Sequence, residues 1–238
     1  MTWSIVARDV DGAFGVAVAS KAFAVGVLCP HARSGVGALS TQALVNPHYA
    51  FRALDLLAEG RFPTDVIRLL TKPDEGRDHR QLHLIDKHGR SAAHTGVKCV
   101  EWCGHTKGTN FSVAGNMLAG PEVIEATAKA YEASAGSPFA QRLITALAAG
   151  EDAGGDKRGK QAAALIVHTT ERYPFLDIRV DDSVEPIREL LRLYEVSFER
   201  YQAMLACLPS EARPWGVTDR AEVEASIARY QAKRSRGA

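Results

Sequence analysis

Near its start the chain carries two apolar stretches, Ile5-Val6-Ala7 and Phe14 to Ala19, with Asp11-Gly12 between them. A tight turn between two runs of strand length makes them an antiparallel hairpin. That hairpin constrains everything after it, because antiparallel sheets need other layers to cover their apolar faces. The covering layers are also legible. Asn46-Pro47 opens a helix with Leu54, Leu57 and Ala58 at helical spacing, and Gly60 ends it. Pro63 begins a second helix with Val66, Ile67 and Leu70. Pro121 to Ala135 and Pro138 to Ala149 form an alanine-rich pair interrupted at Gly136-Ser137.

More strands are expected at Val25 to Leu28 and Val36 to Leu39, punctuated by Pro30 and Gly35. Gln81 to Ile85 and Ser91 to Thr95 form a hairpin around Asp86-Lys87-His88-Gly89. Phe111 to Ala114, Ala162 to Val167 and Leu176 to Val180 complete the set. From Ser183 the pattern is helical to Leu208, then a linker, Pro209 to Gly216, precedes a last helix capped by Thr218. Hairpins alternating with paired helices describe an α+β chain of antiparallel sheets, with a C-terminal helical tail. The expected division is a domain over residues 1–182 and a helical extension over 183–238.

A net charge of +1 leaves no broad basic surface for a polyanion, so nucleic acid is not an expected partner. No run of roughly 18 apolar residues calls for a membrane span. Met1 to Asp9 lacks the charged and apolar regions of a signal peptide. Cys29, Cys99, Cys103 and Cys207 are too sparse for a disulfide framework. Together these make the cytoplasm the expected compartment.

Five short motifs follow one another in order. They are Thr2-Trp3-Ser4-Ile5-Val6-Ala7-Arg8-Asp9, Gly15-Val16-Ala17-Val18-Ala19-Ser20-Lys21, His94-Thr95-Gly96, Gly115-Asn116-Met117-Leu118, and Gly154-Gly155-Asp156-Lys157-Arg158-Gly159-Lys160-Gln161. In combination they resemble the Domain of Unknown Function 1028 family over residues 2–182. The resemblance implies an N-terminal-nucleophile hydrolase-like fold, a four-layer αββα sandwich. It implies no substrate.

The chemistry of such a site starts at Thr2. A small second residue permits removal of the initiator methionine, which exposes an α-amine beside the threonine hydroxyl. Nucleophile and general base then share one residue. An α-amine titrates near roughly 8, and a nearby cation lowers that value. Lys21 closes the second strand and returns beside Thr2 if the first two strands pair. Gly115 and Asn116 end a strand, where backbone N–H groups and an amide can stabilise an oxyanion. Ser4 and Ser20 are alternative hydroxyls without an evident base.

Other residues are candidates for binding. In the glycine-rich string, Asp156 and Arg158 suit an anionic or zwitterionic ligand, since arginine pairs a carboxylate through two hydrogen bonds. A solvated turn reads equally well there. Gln42 and Asn46 can bond a substrate or cap a helix. His94 ends a strand next to a turn and can line a pocket. Cys99 and Cys103, flanked by His94 and His105, invite zinc, but no second cysteine pair completes a set and buried thiols are the simpler reading. His79, His83 and His88 read as a polar patch around a hairpin. No phosphate loop or dinucleotide fingerprint is present, so neither metal nor cofactor is expected. Two functions stay open: hydrolysis of a small amide through Thr2, and binding of a small ligand without chemistry. The alanine-rich helices and the tail also offer surface for a homodimer.

Overall fold

A computed structural model describes residues 2–237, with side chains through residue 235. Two antiparallel sheets organise the chain. The larger contains β1 (Thr2–Arg8), β2 (Phe14–Ser20), β7 (Gly104–Gly108), β8 (Phe111–Asn116), β9 (Ala162–His168) and β10 (Leu176–Val180). Its order is β10-β9-β2-β1-β8-β7, so the opening hairpin lies at its centre. The smaller contains β3 (Pro30–Arg33), β4 (Gly37–Ala43), β5 (Arg80–Asp86) and β6 (Ser91–Thr95), in chain order.

The central strands are buried on both faces, and the pleat sorts their residues. Along β1, Ile5 and Trp3 face one way while Thr2, Ser4 and Val6 face the other. The Trp3 side runs under α4 (Glu122–Ala133) and α5 (Phe139–Asp152). Helix α5 comes so close that a Cβ on Gly15 would lie 2.4 Å from a Leu143 methyl, which only glycine allows. The other side faces the smaller sheet, where Val6, Phe14 and Val16 pack with Ala38 and Ile85. The far face of that smaller sheet carries α2 (His48–Ala58) and α3 (Pro63–Thr71) on a core of Leu39, Leu82 and Leu84.

Several local expectations are corrected. Val25–Leu28 is a single helical turn, α1, closed by Cys29 N–H on the Val25 carbonyl at 3.2 Å. A four-residue apolar run has no periodicity with which to tell strand from helix. Pro30 does not merely punctuate; it begins β3, an edge strand, where a missing N–H costs no ladder bond. The polar strand β7 occupies the opposite sheet's edge, a position that needs no apolar alternation. The expected long helix after Ser183 is split into α6 (Pro186–Ser197) and α7 (Tyr201–Leu205). Asp219, not Thr218, caps α8 (Arg220–Gly237), accepting from Ala221 N–H at 2.8 Å.

The chain divides into two compact units, Met1–Leu190 and Leu191–Ala238. Within the second, Arg200 pairs with Glu224 and Arg234 with Glu195, and the Arg234 guanidinium lies 3.6 Å from the Phe198 ring centroid. No helix among the described residues is long and apolar enough to cross a membrane.

Candidate functional site

Thr2 opens the central strand β1, paired with Asn116 of β8 on one side and next to the end of β2 on the other. Its side chain therefore enters the space between the sheets at one end. There Thr2 Oγ1 donates to Ser20 Oγ at 3.3 Å. The residue is 5% exposed.

Two primary amides reach the Thr2 carbonyl. Asn116 Nδ2 donates to Thr2 O at 3.4 Å, and Gln42 Nε2, whose two protons go to Gln81 and Ala114, lies at the same distance and can only share one with it. Both also donate to Gln81 Oε1, at 2.8 and 3.0 Å. Gln81 Nε2 faces the Gly104 and Gly115 carbonyls at 3.1 and 2.8 Å and Thr95 Oγ1 at 2.9 Å. Carbonyls only accept, so Gln81 must turn its nitrogen to them and its oxygen to the other two amides. The same logic orients Gln42. Its nitrogen meets the Ala114 carbonyl at 3.1 Å, and its oxygen accepts from Ser4 and Ser40 at 2.6 and 3.0 Å.

Ser4 continues the network inward. Its one proton goes to Gln42, so at 2.8 Å His83 Nε2–H must be the donor to Ser4 Oγ. His83 Nδ1 is then the acceptor facing Ser112 Oγ at 3.1 Å. Burial, and secondarily His105, pushes the His83 imidazole down to about 3, which keeps it neutral. A serine beside a histidine invites a nucleophilic reading. Both, however, are 0% exposed, so no substrate reaches them and they form part of the frame.

The remaining sequence candidates divide between the border of this end and more distant positions. Lys21 is exposed; its N–H donates to Asp156 Oδ2 at 2.8 Å and its Nζ to the Lys160 carbonyl at 3.0 Å. Asp156 is buried and also holds Arg158, through the backbone N–H at 2.8 Å and the guanidinium at 3.2 Å. The glycine string thus ties the end of β2 to the loop after α5. Gly155, at φ +51°, is a place where Trp3 approaches to within 3.3 Å of a would-be Cβ. Gly115 is paired on both sides, with Trp3 and Gly104. Asn46 lies just before α2, its Oδ1 accepting from His48 N–H at 3.2 Å. His94 is paired with Leu82, whose side chain belongs to the helix-covered core, and it meets the Arg77 carbonyl at 2.9 Å. The pleat therefore turns His94 away from Thr2.

Cys99 and Cys103 spend their thiols on the Arg80 and Cys99 carbonyls, and burial pushes both thiols up. Among the described residues no three His, Cys, Asp or Glu side chains converge as a metal-binding group.

Sequence reasoning passed over Gln81 and Ser112 as site residues, and His83, read as part of a polar patch around a hairpin, is instead fully buried. The signal was present as polar residues two apart in otherwise apolar strands: Thr2 and Ser4, Ser40 and Gln42, Gln81 and His83. A period of two puts each pair on one face. Backbone strain also gathers at this end. Ala43, which closes β4, and Met117, which follows β8, hold φ of +67° and +59°. Such conformations are costly for non-glycine residues.

No curated protein matches the chain. The crystal structure of protein SPO2555 from Silicibacter pomeroyi, itself described by the DUF1028 family model, is 31% identical with a TM-score of 0.85, covering 92% of this chain and 96% of that one. Anbu (ancestral beta-subunit) from Yersinia bercovieri aligns over 87% of this chain and 98% of its own at 14% identity and a TM-score of 0.38, too slight a likeness to carry an argument. A family model described as a family of unknown function, DUF1028, matches residues 2–190, and the chain belongs to that family.

Proposed function

We propose that this chain is an amidohydrolase of the N-terminal-nucleophile type, built as a four-layer αββα sandwich and acting on a small amide or peptide-like substrate through Thr2. One observation carries the reading. Thr2 lies at the first position of the central strand, its hydroxyl on Ser20 and its carbonyl flanked by two buried amides.

The chemistry requires a free amine on Thr2; Met1 itself lies outside the described residues. The neutral amine takes the hydroxyl proton as Oγ1 attacks the substrate carbonyl carbon. Asn116 supplies an N–H to the oxyanion, since its 3.4 Å contact on Thr2 is long enough to exchange. The proton passes to the leaving amine, the C–N bond breaks, and water hydrolyses the Thr2 ester. Lys21, one residue beyond Ser20, adds positive charge that favours the neutral amine. Asp156, which holds both Lys21 N–H and Arg158, braces that end.

A second reading, a small-ligand-binding protein without chemistry, is favoured by a specific observation. Asp156 already engages Arg158 and Lys21, and Thr2 is nearly sealed.

Intact mass and turnover on a panel of small N-acyl amides, measured on one sample, separate the two. The expectation is a preparation lacking Met1 whose activity is lost in Thr2→Ala and partly kept in Thr2→Ser and Thr2→Cys. Full turnover with Met1 wholly retained overturns the mechanism.

A further inference from the structure

We propose that Gln81 is the positioning residue for Thr2: it fixes the two amides that hold the Thr2 carbonyl, and so sets where the hydroxyl and amine stand. The inference rests on the reading of Thr2 as nucleophile and extends it to a residue that touches neither substrate nor Thr2.

Bond lengths show where the stiffness lies. The contacts on Thr2 O are 3.4 Å, at the long end for an amide donor. Those on Gln81 are short, 2.8 Å from Gln42 and 3.0 Å from Asn116. The amides are therefore held from behind and offered forward to Thr2. Gln81 Nε2 shares its two protons among three acceptors, the Gly104 and Gly115 carbonyls and Thr95, and the residue is 0% exposed. One side chain thus links β4, β5, β6, β7 and β8 at the point where β1 begins. A small error in that frame displaces the nucleophile, and a displacement of about 1 Å costs on the order of 100-fold in rate.

The orientation of Gln81 also yields a signature that a merely structural role lacks. In Gln81→Glu the side chain keeps its shape. As a neutral acid it still offers an acceptor to Gln42 and Asn116 and one donor to the carbonyls behind. As a carboxylate it has no donor for the Gly104 and Gly115 oxygens, and the frame is repelled. Burial raises the carboxyl's titration from its ordinary range, so neutral and charged forms are both reachable under mild conditions.

The test uses a β-lactone as probe. Thr2 Oγ1 attacks the lactone carbonyl, the ring C–O bond breaks, and the departing oxygen takes the hydroxyl's proton by way of the amine. The protein gains the whole lactone mass as an ester, read by intact mass and located by peptide mapping. Wild-type protein, Gln81→Leu and Gln81→Glu are compared, with Ile85→Val as a control at the apolar end of the same strand. Thermal unfolding confirms folding of each variant at each pH.

For Gln81→Leu the maximal labelling rate is expected to fall about 10- to 100-fold, with the half-saturating lactone concentration unchanged. Ile85→Val should label like wild type. For Gln81→Glu, the rate relative to wild type should be near one at pH 5 and decline steadily toward pH 8. A flat ratio across that range, or an unchanged maximal rate in folded Gln81→Leu, overturns the positioning role while leaving Thr2 as nucleophile. If Gln81→Leu does not fold, the pH dependence of Gln81→Glu decides alone. Wild-type protein that never forms the adduct on Thr2 overturns the nucleophile reading, and the positioning role falls with it.

Discussion

The space between the two sheets has two ends, and they obey different rules on the same strands. On β1 the residues facing this space are Val6, Ser4 and Thr2; on β4 they are Ala38, Ser40 and Gln42; on β5 they are Ile85, His83 and Gln81. Each series passes from apolar to polar within two residues. Both ends are dry, with Val6, Ala38, Ile85, Ser4, Ser40, Gln42, Gln81 and His83 all at 0% exposure. The apolar end is held by non-directional burial. The polar end is stable only because its donors and acceptors are matched, and a partly matched buried network is worse than an apolar one. A chain under selection for stability alone has no need of the second solution, and it occurs where Thr2 begins.

Acid should separate the two ends most strongly. Folded His83 stays neutral down to about pH 3, whereas an unfolded imidazole takes its proton near roughly 6.5. Between those values the unfolded chain binds the extra proton, so stability falls as pH falls. The full loss, reached near pH 3, is on the order of 5 kcal/mol. Burial lowers His31 and His168 as well, so they add loss of the same sign. Denaturation midpoints across pH 7 to 4 read the slope, and ring-carbon NMR shifts assign it. An imidazole of His83 that titrates in the folded protein near its ordinary value would break the comparison.

The apolar end was the more legible in the sequence. The opening hairpin, the hairpin around Asp86-Gly89 and both helix pairs follow from periodicity and turn residues, because burial on one face writes a pattern that any apolar residue can carry. What escaped was short or at an edge: α1, β3 and β7 lack the length or apolar content that periodicity needs. At the polar end, Thr2, Gln42 and Asn116 were singled out and lie together, while Asn46 and His94 lie apart from them. A strand's face is fixed by a one-residue step, and reading His94 rather than Thr95 as the inward residue chose the wrong side of β6. His83 escaped because a histidine's role depends on partners contributed by β1 and β8, far away in the chain.

At the apolar end, Phe14→Ala should cost about 3–5 kcal/mol, since the ring is fully buried among Val6, Val16, Ala38 and Ile85 and leaves a cavity. Urea unfolding measures it. The loss should be independent of pH between 7 and 5, in contrast to the acid limb above. A loss under 1 kcal/mol would mean that the sheets close over the gap.

The finest distinction comes from Ser4 and His83 taken together. Ser4→Ala removes only one oxygen, yet it orphans His83 Nε2–H and removes one of two donors to Gln42 Oε1. An unmatched buried donor costs about 1–3 kcal/mol. His83→Leu alone removes the donor to Ser4 Oγ and the acceptor for Ser112, although Ser4 keeps its bond to Gln42 and Ser112 can turn its proton to the Thr106 carbonyl at 3.3 Å. When both are replaced, the Nε2–H and the hydroxyl it needed vanish together, and apolar contact replaces them. The double variant should therefore lose less than the sum of the singles, by about 1 kcal/mol or more, and should no longer show the steep acid loss. A double-mutant cycle from urea unfolding at pH 7 measures the coupling. Losses that add to within about 0.5 kcal/mol would mean that the pair is not bonded, and that the polar end tolerates mismatch as readily as the apolar end tolerates a missing methyl.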